Sequence, residues 1–202
     1  MLVDTVRKRL YPVPFNSINF DTIQRMNLHI RASRDDDIPA LAAIYASSVE
    51  NETASWEYDA PSVEEFARRR VKVIASGFPY FTAEVDGKIV GYSYASSYRE
   101  RVGYRFVVED SVYVLNEMKG HGIGKRLLQT LVDECARLGF RQMIGVIGDS
   151  ENIGSIRLHE ACGFEQAALL KNIGFKFDRW LDSVQMLRVL GEGPTSLPAG
   201  KR

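Results

Sequence analysis

The chain has 202 residues, of which 45% are hydrophobic and 26% are charged, values that are ordinary for a water-soluble globular domain. This length predicts one domain that buries roughly 70% of the surface its unfolded chain exposes. Basic and acidic side chains number 26 each, so the net charge gives no support to a general attraction to nucleic acid or to anionic membranes. An anionic ligand would therefore need a local site.

The cysteine content and the apolar runs further limit the classes of protein to which the chain could belong. Cys135 and Cys162 both lie in apolar helical patterns, which favours two buried thiols over a disulfide framework or a zinc site. No apolar run approaches the ~20 residues that span a bilayer. The stretch "VRKRLYPVPFNS" is basic and broken by proline, unlike a signal peptide. We expect a cytoplasmic protein with no metal, membrane or nucleic-acid partner.

The first part of the chain predicts an extension, a strand and a helix. Residues 1–27 show no periodic pattern and are interpreted as an N-terminal extension. Residues 28–33 alternate in polarity like a strand, and Ser33 with Asp36 three residues later predicts a helix start. The helix that follows carries an apolar stripe at helical spacing, formed by Ile38, Leu41, Tyr45 and Val49.

The rest of the chain alternates helices and strands. Ser62 with Glu65 predicts a second helix start, and Asp86-Gly87 predicts a two-residue hairpin turn. Further helices are predicted to end at Gly139 and Gly163. The last two strands are predicted at 166–173 and 181–190, around a turn over 174–180, and residues 191–202 are predicted to be a disordered tail. Interleaved helices together with long hairpins predict a mixed sheet in one domain, residues 28–190.

The stretch "NEMKGHGIGKRLL", residues 116–128, is the most informative motif. A dinucleotide fingerprint would need a third glycine at Lys125, and a Walker loop would need glycine at Lys119 and serine or threonine at Arg126. A third interpretation is a strand–loop–helix whose backbone N–H groups converge on a pyrophosphate, with the helix beginning near Gly122. A glycine-rich helix start without a ligand is the alternative that the spacing alone leaves open.

The wider context of this loop resembles the GNAT superfamily of acetyl-CoA-dependent N-acetyltransferases. The superfamily's loop has arginine or glutamine, then two residues, glycine, one residue, and glycine or alanine; here these places hold Lys119, Gly122 and Gly124. "SVYV" precedes the loop, and "NIGSIRLHEACGF" follows further along the chain. The stretches 107–114, 147–164 and 174–182 resemble the phosphinothricin and methionine sulfoximine acetyltransferase branch.

This resemblance implies a fold, a cosubstrate and a reaction. The fold would be mixed α/β of the GNAT type, with a central twisted sheet of about seven strands flanked by about four helices. The enzyme would transfer acetyl from acetyl-CoA to the amine of a small amino-acid-like molecule, by direct transfer in a ternary complex. A homodimer is also expected from the family. The alternatives are acetylation of a protein or peptide amine, and a non-catalytic acyl-CoA-binding module.

The resemblance also assigns catalytic roles. Glu109 occupies the place of the branch's catalytic glutamate, which removes a proton from the attacking amine. Alternation along the strand turns Asp110 to the other face, which makes it a weaker candidate for the base. His159 is a candidate for protonating the departing thiolate or polarising the thioester. A solvent-exposed carboxylate and a structural histidine are the competing interpretations.

Cosubstrate contacts are assigned to three segments. The backbone of Val112, Tyr113 and Val114 would hold the acetyl carbonyl and the pantetheine arm, with the Val114 N–H as oxyanion donor. The pyrophosphate would be held by the loop residues Lys119, Gly120, His121, Gly122, Ile123, Gly124 and Lys125. Asn152 and Ser155 are candidates for contacts to the pantetheine arm, although asparagine at a helix start is also an ordinary cap.

The acceptor side is assigned to one cation and three aromatic residues. Arg99 matches the branch's basic residue at the end of the third strand, which binds a substrate carboxylate. Trp56, Phe177 and Trp180 are candidates for the walls of the acceptor pocket, and each could equally serve packing.

Overall fold

The computed structural model describes residues 27–197, so the predicted extension lies outside the described residues except for Asn27. The strands are β1 (Leu28–Ala32), β2 (Tyr80–Val85), β3 (Lys88–Ser97), β4 (Val107–Val114), β5 (Gln142–Gly148), β6 (Glu165–Lys176) and β7 (Arg179–Val189). The α-helices are α1 (Ile38–Asn51), α2 (Val63–Ala75), α3 (Ile123–Arg137) and α4 (Ile153–Ala161). None of these helices is long and apolar enough to cross a membrane.

The strands form one sheet in the order β1-β2-β3-β4-β5-β7-β6. Strands β4 and β5 pair in parallel, and the other neighbours pair antiparallel. The predicted mixed sheet of seven strands with four helices is therefore confirmed. Helices α1 and α2 cover one face, where Leu41 and Phe66 pack with Tyr92, and α3 covers the other face through Leu127, Leu128 and Leu131.

Two hairpin turns can be compared with the turns predicted from the local sequence. Asp86 and Gly87 have φ values of 49° and 80°, as the predicted two-residue turn requires. Phe177 and Asp178 have φ values of 52° and 55° and form an equally short turn between β6 and β7. The predicted longer turn over 174–180 is wrong, because the two strands continue to within one residue of this pair.

The predicted helix starts have different outcomes. The Ser62 side chain accepts a hydrogen bond from the Glu65 N–H at 3.2 Å, so the predicted start of α2 is confirmed. The start predicted at Ser33 is wrong, because a 3-10 turn at Asp35–Asp37 precedes α1 and the Ser33 hydroxyl instead accepts from Arg70 Nε at 2.9 Å. A contact between distant elements therefore takes the oxygen that the local pattern assigned to a cap.

The segment after β7 is described as far as Leu197. Gly193–Thr195 forms a 3-10 turn, and Arg141 Nη1 donates to Ser196 Oγ at 3.1 Å and to Glu192 Oε2 at 3.2 Å. These contacts join the segment to the residue that precedes β5, and the remainder of the predicted tail lies outside the described residues.

Candidate active site

Strands β4 and β5 separate along their length and leave a gap in the sheet. Their parallel pairing ends at Asp110 and Gly145, although β5 continues to Gly148 and β4 to Val114. The gap lies at the C-terminal ends of β4 and β5, and the glycine-rich loop follows β4 at this end. An elongated ligand could therefore lie between the two strands without displacing either of them.

Backbone donors of β4 point into this gap. The Leu115 N–H donates to the Val90 carbonyl of β3 at 2.9 Å, and N–H groups alternate sides along a paired strand. The N–H groups of Val112 and Val114 therefore face away from β3, towards the gap. This is the orientation that the predicted oxyanion donor at Val114 needs.

Two adjoining cavities form one continuous groove along the gap. We call them the Glu109 cavity, which lies beside the acidic pair of β4, and the glycine-loop cavity, which lies beside residues 119–125. The residues that line both are Ala54, Val112, Tyr113, Asn152, Ser155 and Leu158. A single ligand could therefore extend from the glycine-rich loop to the carboxylate of Glu109.

Glu109 lines its cavity with a half-buried side chain. Burial raises the pKa of Glu109 to about 7, and the neighbouring negative charge of Asp110 adds to the rise. A base whose pKa lies near the working pH combines availability of the carboxylate with strength as a proton acceptor. The environment of Glu109 is therefore the one that the predicted base requires.

Asp110 and His159 form a buried pair beside Glu109. His159 Nε2 lies 3.2 Å from Asp110 Oδ2, and Nδ1 lies 2.7 Å from the Ser155 carbonyl oxygen. Burial lowers the pKa of His159, but the hydrogen bond and the charge of Asp110 outweigh it, so the net pKa is raised. When the ring is protonated, both of its nitrogens donate to fixed acceptors. These contacts favour a positioning role for His159 over the predicted proton donation.

The glycines of the loop serve two different purposes. Gly120 and Gly122 have φ values of 80° and 75°, in the left-handed region that favours glycine, and Gly122 is the N-cap of α3. Gly124 lies inside the helix, where an added Cβ would come within 3.3 Å of the Leu158 side chain. The first two glycines shape the loop, whereas the third allows α3 and α4 to approach closely.

The structure also places the charged and the buried residues of the glycine-rich loop. Lys119 pairs with Glu52, which ends α1, across the glycine-loop cavity that both residues line. The His121 ring nitrogen Nδ1 lies 3.0 Å from the Lys119 carbonyl oxygen. Ile123 is buried, so its backbone alone is available to a ligand, while Lys125 lines the cavity. The loop therefore presents backbone N–H groups at the start of α3, with lysines beside them.

Asn152 and Ser155 stand where the two cavities meet. The Asn152 Oδ1 accepts from the Ser155 N–H at 3.2 Å, so the side chain is an ordinary N-cap of α4, which was one of the two predicted roles. Both residues nevertheless line both cavities. The cap fixes the side chain at the groove wall, and the structural and ligand-contacting roles are compatible.

The sequence matches the family model for the acetyltransferase (GNAT) domain over residues 30–185. The chain belongs to the GNAT family and is an acetyltransferase. A relative from Alcaligenes faecalis, a phosphinothricin N-acetyltransferase, is 50% identical over 169 residues, which cover 84% of this chain and 86% of that protein. An L-methionine sulfoximine/L-methionine sulfone acetyltransferase from Pseudomonas paraeruginosa is 35% identical over 161 residues, which cover 78% of this chain and 91% of the relative.

A solved structure gives the same assignment from the fold. The crystal structure of a GNAT superfamily phosphinothricin acetyltransferase from Sinorhizobium meliloti, in complex with AcCoA, matches this GNAT chain with a TM-score of 0.84 at 45% sequence identity. The match covers 86% of this chain and 94% of that one. The predicted resemblance to the GNAT superfamily and its phosphinothricin acetyltransferase branch is therefore confirmed.

The predicted acceptor residues of this GNAT protein are not brought together. Arg99 lies over the rings of Tyr98 and Tyr104, at 5.1 and 5.9 Å from their centroids, and does not line the Glu109 cavity. Phe177 and Trp180 are exposed at the β6–β7 hairpin and also lie outside its lining. Trp56 is closer, since it packs against Gly148, which lines that cavity.

Several residues at the acetyltransferase site were missed by the sequence analysis. Tyr94 and Ser55 line the Glu109 cavity. The register of β3 on β4 pairs Tyr94 with Ser111, so alternation from Glu109 could have found the tyrosine. Lys176 is buried behind the loop that contains Ser55, and burial lowers the pKa of its ammonium group. No local pattern in the sequence marks that lysine.

Proposed function

We propose that this GNAT protein acetylates the α-amino group of a small amino-acid-like substrate of the phosphinothricin, methionine sulfoximine or methionine sulfone class, with acetyl-CoA as acetyl donor. The observation that carries this proposal is the half-buried carboxyl group of Glu109, whose pKa is raised to about 7, beside a gap that exposes backbone donors. The substrate class rests on the relatives, which carry these substrates in their names.

The groove fits acetyl-CoA by the chemistry of its lining. Acetyl-CoA supplies an activated acetyl thioester and carries a pyrophosphate at the far end of its pantetheine arm. The N–H groups at the start of α3, with Lys119 and Lys125, would hold the phosphates. The backbone of Val112 to Val114 would hold the arm and the acetyl carbonyl, with Asn152 and Ser155 on the opposite wall. The Val114 N–H is our candidate for stabilising the oxyanion.

Glu109 acts as the general base in this proposal. An amine is mostly protonated at neutral pH, so a proton must leave before or during attack on the thioester carbonyl. A carboxylate with a pKa of about 7 accepts that proton, and the amine nitrogen then forms the bond to the acetyl carbon. One ammonium proton moves to Glu109 before attack. As the tetrahedral intermediate collapses, the thiolate departs with the electron pair of the broken C–S bond and takes up the second proton, which the attacking nitrogen releases.

Transfer is direct, without an acetylated cysteine. Both cysteines of the sequence are buried, and burial raises the pKa of Cys135 to about 12 and raises that of Cys162. A thiol with a raised pKa is a poor nucleophile, because the thiolate is the reactive form. Amine and thioester would therefore meet in one ternary complex.

We further propose that Arg99 binds the substrate carboxylate and that the chain forms a homodimer. The described lining of the Glu109 cavity contains neither arginine nor lysine. Arg99, from the β3–β4 connection, would therefore move off the Tyr98 ring to bind the substrate carboxylate.

The edge strand β6 presents exposed apolar side chains, namely Leu169, Leu170, Ile173 and Phe175. A second copy would cover this surface.

A thiol-release assay with acetyl-CoA tests the proposed function. The acceptor panel holds methionine sulfoximine, methionine sulfone, phosphinothricin, free amino acids, polyamines and short peptides. We expect saturable release on at least one of the first three acceptors and weaker release on the others. Turnover on peptides alone would transfer the function to protein acetylation. Absence of release with tight acetyl-CoA binding would leave an acyl-CoA-binding module and contradict the proposal.

A further inference from the structure

Lys176 is a buried cation whose donors are all used by the end of α1 and the loop that follows it. Its side chain lies at the end of β6 and is 2% exposed. The Nζ atom donates to the carbonyl oxygens of Val49 at 2.7 Å, Glu52 at 3.0 Å and Ser55 at 2.7 Å. An ammonium group carries three N–H donors, so these three bonds satisfy it fully.

The three acceptors belong to the end of α1 and the residues that follow it. Val49 lies in the last turn of α1, where carbonyl groups lack helical partners and carry the negative end of the helix dipole. Ser55 lies in the α1–α2 loop, which we define here as residues 52–62. A cation from a distant hairpin therefore caps the helix and fixes the first residues of this loop.

The α1–α2 loop forms one wall of the active site. Ala54 lines both cavities and Ser55 lines the Glu109 cavity. The next residue, Trp56, lies so close to β6 that a Cβ added at Gly174 would be 2.6 Å from its ring. Two independent contacts, the ammonium of Lys176 and the bare backbone of Gly174, thus hold the same loop against β6.

We propose that Lys176 is a positioning residue for amine recognition, which holds the α1–α2 loop at the distance from Glu109 that the acceptor requires. This inference rests on the proposed function for its substrate class. Three hydrogen bonds fix the direction of the loop, whereas an apolar contact of the same size would let it slide. Removing the cation from water is costly, and a methionine of similar length would pack there without that cost. The lysine therefore supplies geometry that an apolar side chain lacks.

Lys176→Met and Lys176→Arg test the proposal, with Lys171→Met as the matched control. Lys171 lies on the same strand with an exposed side chain. We expect Lys176→Met to lower kcat/KM for the acceptor about 10²-fold, as for a misplacement of about 1 Å. The effect should fall mainly on the acceptor KM, with the Kd of acetyl-CoA within about threefold. Arginine should restore part of the loss, and Lys171→Met should behave as wild type.

Fluorescence gives a readout that needs no substrate. The sequence has two tryptophans, so in a Trp180→Phe background Trp56 reports on the loop alone. We expect acrylamide quenching of Trp56 to increase in Lys176→Met. If the wild type acetylates none of the acceptors, the proposed function fails, while the quenching result still judges the positioning. A folded Lys176→Met with wild-type quenching and acceptor KM would overturn the inference, as would equal weakening of acceptor and acetyl-CoA.

Gly174→Ala provides a second variant if Lys176→Met fails to fold. The added Cβ would displace Trp56 while Lys176 keeps its three bonds. We expect a raised acceptor KM with acetyl-CoA affinity retained. An unchanged acceptor KM, together with increased quenching of Trp56, would contradict the link between loop position and amine recognition.

Discussion

At the residue scale, Glu109 and Asp110 show how neighbours in one strand acquire different chemistry. Alternation along β4 directs the Asp110 carboxylate to the buried His159, while Glu109 lines its cavity beside Ser111 and Tyr94. Burial, together with a smaller contribution from the negative charge of Asp110, raises the pKa of Glu109 to about 7. The local environment therefore gives the two neighbouring carboxyl groups different surroundings: Asp110 is paired with a histidine, whereas Glu109 titrates near neutrality.

Glu109→Gln should lower kcat by about 10²- to 10⁴-fold at neutral pH, because the variant lacks the base. The Kd of acetyl-CoA should stay nearly unchanged, since the backbone groups of the groove remain. In the wild type, kcat/KM should fall as pH drops through about 7, where the Glu109 carboxylate becomes protonated. Fixed-time activity assays across pH measure kcat and kcat/KM, and isothermal titration calorimetry measures the Kd of acetyl-CoA. Unchanged turnover, or an unchanged acid limb in the variant, would remove Glu109 as the base.

Asp110→Asn should move the acid limb of kcat/KM to lower pH. The substitution removes the negative charge that helps to raise the pKa of Glu109, so the carboxylate persists to lower pH. Burial remains as the main cause of the raised pKa. The pH profile of the purified variant checks this, and Asp133→Asn, on α3, is the control. A limb that stays in place would show that Asp110 does not act on Glu109.

At the element scale, the glycine-rich loop and α3 form one unit, which under the proposed function would bind the phosphates of acetyl-CoA. Gly122 caps the helix with a left-handed φ of 75°, which turns the chain from the loop into α3. The first N–H groups of a helix lack helical partners and carry the positive end of the dipole. The loop therefore directs these donors into the glycine-loop cavity, where Lys125 adds a positive charge.

Gly122→Ala should weaken acetyl-CoA binding, because a side chain in the left-handed region costs about 1–2 kcal/mol and shifts the loop. Loss of contacts worth about 1.4 kcal/mol corresponds to a Kd raised about tenfold. Gly77→Ala is the matched control: its φ is 82°, nothing lies within 4 Å of the added Cβ, and it ends α2 away from the groove. The control should lose similar thermal stability with unchanged Kd. Equal Kd values would contradict a role for the loop.

At the scale of the whole molecule, the edge strand β6 is unusual because it exposes several apolar side chains. Within residues 27–197, strand β6 ends the strand order and pairs with β7 alone. Exposed edge strands with apolar side chains invite pairing with another chain unless they are covered. The same hairpin carries Lys176 and Gly174 against the active-site wall. Any partner that covers β6 would therefore also bear on the acceptor side.

Light scattering should give a mass of about twice 22.8 kDa, as the proposed homodimer requires. Ile173→Glu on β6 should shift the mass towards the monomer, because a charge would be buried at the interface without a partner. Val102→Glu, at an exposed position in the β3–β4 connection, should leave the mass unchanged. A monomeric wild type, or a dimer that tolerates Ile173→Glu, would exclude pairing across β6.

The sequence by itself determined those features that depend on neighbours in the chain. The period of apolar residues predicted the helices, Asp86-Gly87 predicted its turn, and the order of motifs identified the GNAT fold. The glycine-rich loop was predicted at the start of α3 because only a few residue types tolerate its backbone conformation. Candidate cosubstrate residues on β4 and the loop came from the resemblance to the GNAT superfamily, because the matching motifs carry the family's roles to positions along this chain.

Only the tertiary structure decided features that join distant segments. Ser33 lost its predicted cap to Arg70, and Arg99 lies on Tyr98 and Tyr104 and outside the Glu109 cavity. The pairing of Asp110 with His159 and the raised pKa of Glu109 depend on burial, which no local pattern encodes. Lys176 reaches carbonyl groups more than 120 residues away in sequence. Hydrogen bonding and desolvation act through space, so the chain must fold before these partners are defined.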